Sequence, residues 1–595
     1  MAIDEITLQV LHNRFEAIAE EMQSVMLRSS YSGIINEVGD ASSALFSVAG
    51  EAIAHSVAIP LHLGVMGAAV RSILEHFPLA GMQDGDSYIL NDPYLGGTHL
   101  PDLVVATPVL AEDGPVALAA VLAHHSDVGG LVHGSMAAHA TEIFQEGLQI
   151  PPCKLRECGT ENVTLFAIIE RNVREPREVV ADIRGQIGAT VTGTRLLLDV
   201  LGEYGSSAVL EYMEALLDRA EAMTRASLRA LPDGTATFED YIDHDGVDLT
   251  DRLLQVKATV TIAGDQLMVD LTGTHAQTRG SANGPPSTAV APAVYALRTL
   301  IDSAVPVNGG TERPITIELP EGSMVNPRRP APVALRGQLA SRVLKAINGA
   351  LVQIVPGRLT ADSGEHDGVL GFSSSRGPGG VPWHLAFEPI GGMGARPTKD
   401  GVDAVSMGLS NAINVPAEIW EGEESPVRLA RQALRTDSGG AGTWRGGLGI
   451  VWRFEILHGT VEASWRGDRT FSRPWGLFGG KAGASWQLLV LRADGSSDEI
   501  PGRGVFHLYE GDLLEVRGGG SGGYGDPLER STERVHNDLR DGKISVEAAR
   551  HEYGVIITAD GLAIDGERTG DLRKRLRLER GPITWTIDRG NGERV

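Results

Sequence analysis

Two apolar, β-prone runs at residues 103–110 and 115–122 are separated by Glu112-Asp113-Gly114. An Asp-Gly pair between such runs is a strong short-range signal for an antiparallel hairpin, because both residues accept the positive φ of a tight turn. With the turn centred on Asp113, pairing sets Asp102 opposite His124, so residues 22 positions apart converge. His99 lies just beyond the same end. The hairpin is entered through Asn91-Asp92-Pro93-Tyr94-Leu95-Gly96-Gly97-Thr98-His99-Leu100-Pro101-Asp102, whose glycines and prolines cannot continue a helix. It leaves through Ala123-His124-His125-Ser126-Asp127-Val128-Gly129-Gly130. Imidazole nitrogen and carboxylate oxygen delivered to one place by rigid strands suit zinc, manganese or iron. A histidine at a strand end often only caps backbone groups. The coincidence of His99, Asp102, His124 and Asp127 at one hairpin mouth favours a metal or catalytic site over that reading.

At 595 residues the chain is too long for one core, and roughly three to five domains or subdomains are expected. Hydrophobic content of 42% and charged content of 22% mark an ordinary globular protein. A formal charge of −25 with no basic run argues against nucleic acid, whose phosphates require clustered Lys and Arg. Only Cys153 and Cys158 occur, too few for a disulfide scaffold. A reducing, cytoplasmic setting with free buried thiols is expected. The acidic, amphipathic start does not read as a signal peptide, and no uncharged apolar run reaches about 18 residues, so no membrane span is expected.

Residues 4–30 space Ile6, Val10, Phe15, Ile18, Met22 and Met26 as one long amphipathic helix. Asp40 directly precedes a strand-like run. The fold class expected is α+β in several subdomains: a mixed α/β metal-site region over 1–162, a helical segment over 163–231, a mixed α/β middle domain over 232–430, and a Gly-rich β domain with a C-terminal tail over 431–595. Residues 327–332 read as a Pro-rich strap. Short strands at 450–456, 461–464 and 486–492 suggest a sandwich or barrel-like domain. The run at 518–527 lacks the Lys-Ser/Thr ending of a phosphate loop and reads as a tight interfacial loop. The charged tail from about Gly570 is expected to be partly disordered.

Several longer motifs occur in one order: residues 91–102, 124–130, Gln145-Glu146-Gly147-Leu148-Gln149-Ile150-Pro151-Pro152, 172–176, Arg435-Thr436-Asp437-Ser438-Gly439-Gly440, Trp444-Arg445-Gly446-Gly447, Pro474-Trp475-Gly476 and 522–527. On these the sequence resembles the hydantoinase B family, which includes components of ATP-dependent hydantoinases and oxoprolinases and relatives in acetone and acetophenone carboxylases. The resemblance implies a divalent metal, zinc first with manganese or iron as alternatives, held by Asp40, His99, Asp102 and His124. The last three agree with the hairpin argument; Asp40 rests on the resemblance alone. Asp92 and Asp127 are then expected to orient the imidazoles or to act as a base. The resemblance also implies a partner, a hydantoinase A-like subunit that binds ATP and Mg and activates the substrate, in a hetero-oligomer such as α2β2. The activity implied is hydrolysis of a cyclic amide. A ketone carboxylase subunit is the alternative, and a non-catalytic scaffold the third reading.

Overall fold

The first sheet of the protein is built around the expected hairpin. In this computed structural model, which describes residues 4–594 apart from 57–58, 63, 113, 250–252, 366–367, 375–382, 406–407, 411–415, 422–424, 501, 559–562 and 591–592, the fold is α+β. Seven strands form the sheet: β1 (Ala41–Phe46), β2 (Ala52–His55), β3 (Ser87–Leu90), β4 (Asp102–Ala111), β5 (Gly114–His124), β6 (Cys153–Glu157) and β7 (Thr160–Glu161). Their order is β2-β1-β5-β4-β3-β6-β7. The register pairs Asp102 with His124, as the hairpin argument requires; the turn residue Asp113 lies outside the described residues.

The central strands are apolar almost without alternation because both faces are covered. Helices α1 (Glu5–Ser29) and α5 (Pro176–Tyr204) lie against one face, where Phe15, Ile18 and Met22 meet Leu45, Val109, Val121 and Leu197. The alternate residues Val104, Ala106, Leu118, Ala120 and Leu122 are buried as well. The short α2 (Gly33–Asn36) leads into β1, and α3 (Val65–His76) contacts β3, β4 and β5. Then come α4 (Val163–Asn172), α5 and α6 (Ser206–Arg229), followed by a second sheet in the order β11-β10-β9-β8, made of β8 (Gly234–Ile242), β9 (Leu254–Ala263), β10 (Gln266–Asp270) and β11 (Ile315–Glu318). Helices α7 (Ser287–Arg298) and α8 (Arg336–Ile354) complete this region.

The residues group into two compact units, Met1–Asp240 with His244–Ala350 and Leu409–Val415, and Tyr241–Asp243 with Leu351–Gly408 and Pro416–Val595. The composition changes near residues 163 and 232 therefore mark changes of secondary structure inside the first unit. The reason is visible in the core: Ile183 and Ile187 of the helical segment share a cluster with Leu103 and Val105 of β4.

Among the described residues the second unit carries two larger antiparallel sheets and a small three-stranded one. One larger sheet joins Leu370–Ser374, Trp383–Phe387, Thr460–Trp465 and Gly504–Tyr509; the other has five strands, including Ile450–Ile456, Leu513–Arg517 and Gln487–Leu491. Aromatic rings bridge them, with Phe372 against Phe454 and Phe387 against Trp452 at 5.2 and 5.4 Å between centroids. The tail departs from expectation. Residues Gly566–Arg580 form a helix, and Ile587–Gly590 pairs with Gly476–Leu477. Its charges find partners the sequence does not show: Arg580 reaches Asp526 at 2.6 Å and Arg577 reaches Glu529 at 2.7 Å. Both cysteines are free, but neither is fully buried, and Cys158 is exposed in the turn between β6 and β7.

Candidate metal centre

Three strands end at one place. Asp102 opens β4, His124 closes β5, and the pairing of Ala41 with Ala123 sets Asp40, just ahead of β1, beside them. The His124 amide donates to the Asp40 carbonyl at 3.0 Å, which fixes that neighbour. His99 arrives through the loop before β4. There Gly97 lies so close to the chain at Asn91 that a Cβ would meet the Asn91 carbonyl oxygen at 2.6 Å, and the Asp102 amide then donates to the His99 carbonyl at 3.1 Å.

The side chains converge on three atoms. His99 Nε2 lies 2.8 Å from Asp102 Oδ1, His124 Nδ1 lies 2.9 Å from the same oxygen, and the two nitrogens are 3.1 Å apart. All three residues are buried. Ligand atoms held about 2.1 Å from one ion are about 3.0 Å apart at right angles and about 3.4 Å apart at tetrahedral angles. The donor set and its spacing therefore fit a divalent transition metal. Burial pushes the His99 imidazole down to about 3, with the Arg336 guanidinium adding to it, so the ring is a neutral donor. Burial opposes ionisation of Asp102, but Arg336, followed by His99, overrides it and holds the carboxyl well below the usual carboxylate range. Arg336 reaches Asp102 Oδ2 at 2.6 Å, and Thr98 Oγ1 donates to the same oxygen. One carboxylate oxygen is thus occupied by the protein and the other is turned to the histidines. His99 Nδ1 has no hydrogen-bond partner among the described residues.

Asp40 stands beside this triad. Its Oδ2 is 3.9 Å from His124 Nδ1 and its side chain is 24% exposed, which makes it the open edge of the group. The structure does not bring Asp92 or Asp127 to the triad. Asp92 caps the turn at Pro93–Leu95 by accepting the Tyr94 amide, and Arg329 lies 3.6 Å away. Asp127 accepts the Gly129 and Arg174 amides and pairs with the Arg174 guanidinium at 2.9 Å. Both act as Asx-type fasteners of the loops that carry the site. His125, the residue after β5, instead meets Gln186 Oε1 at 3.1 Å.

Sequence reasoning missed two residues. His62 is buried with Nδ1 2.8 Å from Ser42 Oγ and Nε2 3.7 Å from Asp40 Oδ1, and burial lowers its pKa. Only an imidazole inside the apolar Ile59-Pro60-Leu61-His62 stretch hinted at it. Arg336 had a clearer signal: a cation in the first turn of α8 opposes the helix dipole and asks for an anionic partner.

A sequence profile described as Hydantoinase B/oxoprolinase matches residues 4–527. The chain belongs to this family. It is 34% identical over 600 residues to a putative D-/L-hydantoinase component, the B-type subunit, of Pseudomonas sp. (strain NS671), covering 96% of this chain and 98% of that one. Among solved structures it resembles the ATP-dependent caprolactamase of Pseudomonas jessenii with a TM-score of 0.87 at 28% identity, over 96% of this chain and 100% of that chain. Acetone carboxylase in its nucleotide-free form also matches with a TM-score of 0.87, at 20% identity, over 97% of this chain and 83% of that chain. The second likeness is one of fold. For a hydantoinase B/oxoprolinase family chain, the buried triad at the hairpin mouth is the feature to which chemistry can be attached. No described helix is long and apolar enough to cross a membrane.

Proposed function

We propose that this chain is the metal-bearing subunit of an ATP-dependent cyclic amide hydrolase of hydantoinase, N-methylhydantoinase or oxoprolinase type, working in the cytoplasm with a hydantoinase A-like partner. The observation that carries the reading is the convergence of His99 Nε2, Asp102 Oδ1 and His124 Nδ1 in a chain whose relatives are named as a hydantoinase component and a caprolactamase. Asp40, His99, Asp102 and His124 are the ligand set, with zinc first and manganese or iron as alternatives. A divalent ion there supplies Lewis acidity and acidifies a water toward neutrality. The chain's own part is to hold the donors. Two imidazoles and one anchored carboxylate offer the donor atoms, and Asp40 marks the side from which substrate approaches. Asp92 and Asp127 support the loops in this reading.

An unstrained cyclic amide is a poor electrophile, and phosphorylation of its oxygen makes it a good one. The run at 518–527 has no phosphate-loop ending, so ATP and Mg belong to the partner, in a complex such as α2β2. The fold likeness to acetone carboxylase favours a ketone carboxylase as the second reading. A scaffold role leaves the buried triad without a purpose.

The test is coupled ATP hydrolysis by the chain and its partner, offering hydantoins, 5-oxoproline and lactams against acetone and acetophenone with bicarbonate, with elemental analysis alongside. Ring opening with one metal per chain is expected. Bicarbonate fixed into a β-keto acid would replace this reading with the carboxylase.

A further inference from the structure

The stretch 145–152 carries one of the chain's longer motifs, yet none of its side chains belongs to the triad. Its buried acid, Glu146, instead faces the end of the Pro-rich strap, which the structure carries on from 327–332 through Val333 and Ala334 to Arg336. Glu146 Oε2 accepts the Val333 amide at 3.1 Å and Oε1 accepts the Ala334 amide at 2.8 Å. The same strap is held from other sides: the Ile143 amide donates to the Pro330 carbonyl at 2.8 Å, Tyr94 Oη to the Ala331 carbonyl at 2.6 Å, and Asn283 Nδ2 to the Pro332 carbonyl at 3.0 Å. The strap ends in Arg336, whose amide donates to the Val333 carbonyl at 3.0 Å and whose guanidinium meets Asp102 Oδ2. Residues far apart in sequence, Tyr94 and Glu146 of two separate motifs among them, thus grip one segment, and that segment delivers one cation to one oxygen of one triad carboxylate.

We propose that Arg336 is a positioning residue that keeps Asp102 turned with a single oxygen toward the metal, and that Glu146 positions Arg336 by clamping residues 333–334. This rests on the metal reading above. Without the guanidinium, Oδ2 keeps only the Thr98 hydroxyl and the carboxylate is free to rotate or to offer both oxygens. Without two acceptor oxygens at residue 146, one of the two strap amides loses its partner. Outer hydrogen bonds of this kind commonly change metal affinity by about 10–100-fold when removed.

The experiment loads the full-length chain with Co(II) and records its visible absorption and its affinity by competition with a chelator. For Arg336→Met the absorption should change in position and intensity and affinity should fall at least tenfold, with Arg336→Lys restoring part of both. Glu146→Gln, which keeps size but replaces one acceptor by a donor, should shift the spectrum in the same sense by a smaller amount. Circular dichroism establishes that each variant is folded; where Arg336→Met is not, Arg336→Lys and Glu146→Gln decide. Folded variants with the wild-type spectrum and affinity within twofold of wild type would overturn the assignment while leaving the metal reading intact. A wild-type chain that binds no Co(II) would overturn both.

Discussion

The mouth of the β4–β5 hairpin and the run at 518–527 look alike as sequence, since each sets glycines and a proline around a few polar residues. They gather different things. At the hairpin mouth the turns bring side chains together, and His99, Asp102 and His124 meet within 3.1 Å. In the second unit the glycines bring backbones together. A Cβ on Gly520 would fall onto the Ser438 carbonyl, and one on Gly446 onto the Ser521 carbonyl. Dense turn residues therefore announce a tightly specified stretch of chain, and only the side chains between them say whether the constraint serves chemistry or packing.

The sharpest way to break this comparison is to remove a side chain from the first place. His124→Ala or His99→Ala should abolish metal retention and lower turnover by about a thousandfold, the several kcal/mol that metal catalysis supplies; a variant with full metal content by elemental analysis would end the ligand assignment. The matching change in the second place is Gly520→Ala. Overpacking against fixed backbone should cost about 3 kcal/mol, lowering Tm without lowering metal content per folded chain. An unshifted melt would show that the glycine run is not a packing device.

The two units also carry opposite pH signatures. His55 in the first is pushed down to about 4 by burial, so its contribution is present above the unfolded value near 6.5 and is lost as pH falls through 4. Asp243 in the second is pushed up to about 6 by burial and then by Asp468, so its contribution is present below about 3.8 and is lost as pH rises through 6. Each shift is worth at most about 3 kcal/mol. Within this shared window the slopes oppose: His55→Gln should flatten the rise of stability between about pH 4 and 6.5, and Asp243→Asn the fall between about 3.8 and 6, read by denaturant titration from pH 4 to pH 8. Identical slopes in wild type and variants would remove this contrast. The smallest effect expected is that of Asp127→Asn, which weakens the clasp on Arg174 by about 1–2 kcal/mol but leaves the metal in place. Loss of metal from that variant would return Asp127 to the site.

The hairpin could be read in advance because its information is local: a turn signal, two apolar runs and a period of two fix Asp102 opposite His124. Asp40 could not be derived that way. Its place depends on β1 pairing with β5 across some eighty residues, and only the family resemblance pointed to it. His62 and Arg336 come from elements whose approach to the site is a matter of packing. The charged tail misled composition for the same reason, since arginines that look solvated become a docked helix once Asp526 and Glu529 are beside them.

By itself the sequence determined the hairpin, its register and the kind of donors at its mouth, because short-range geometry leaves few alternatives. The tertiary structure alone decided which oxygen of Asp102 faces the histidines, which loop amides Asp92 and Asp127 accept, and that Glu146 accepts an amide nearly two hundred residues away. Those choices follow from burial and from long-range hydrogen bonds, and neither has a period or a spacing that a sequence can display.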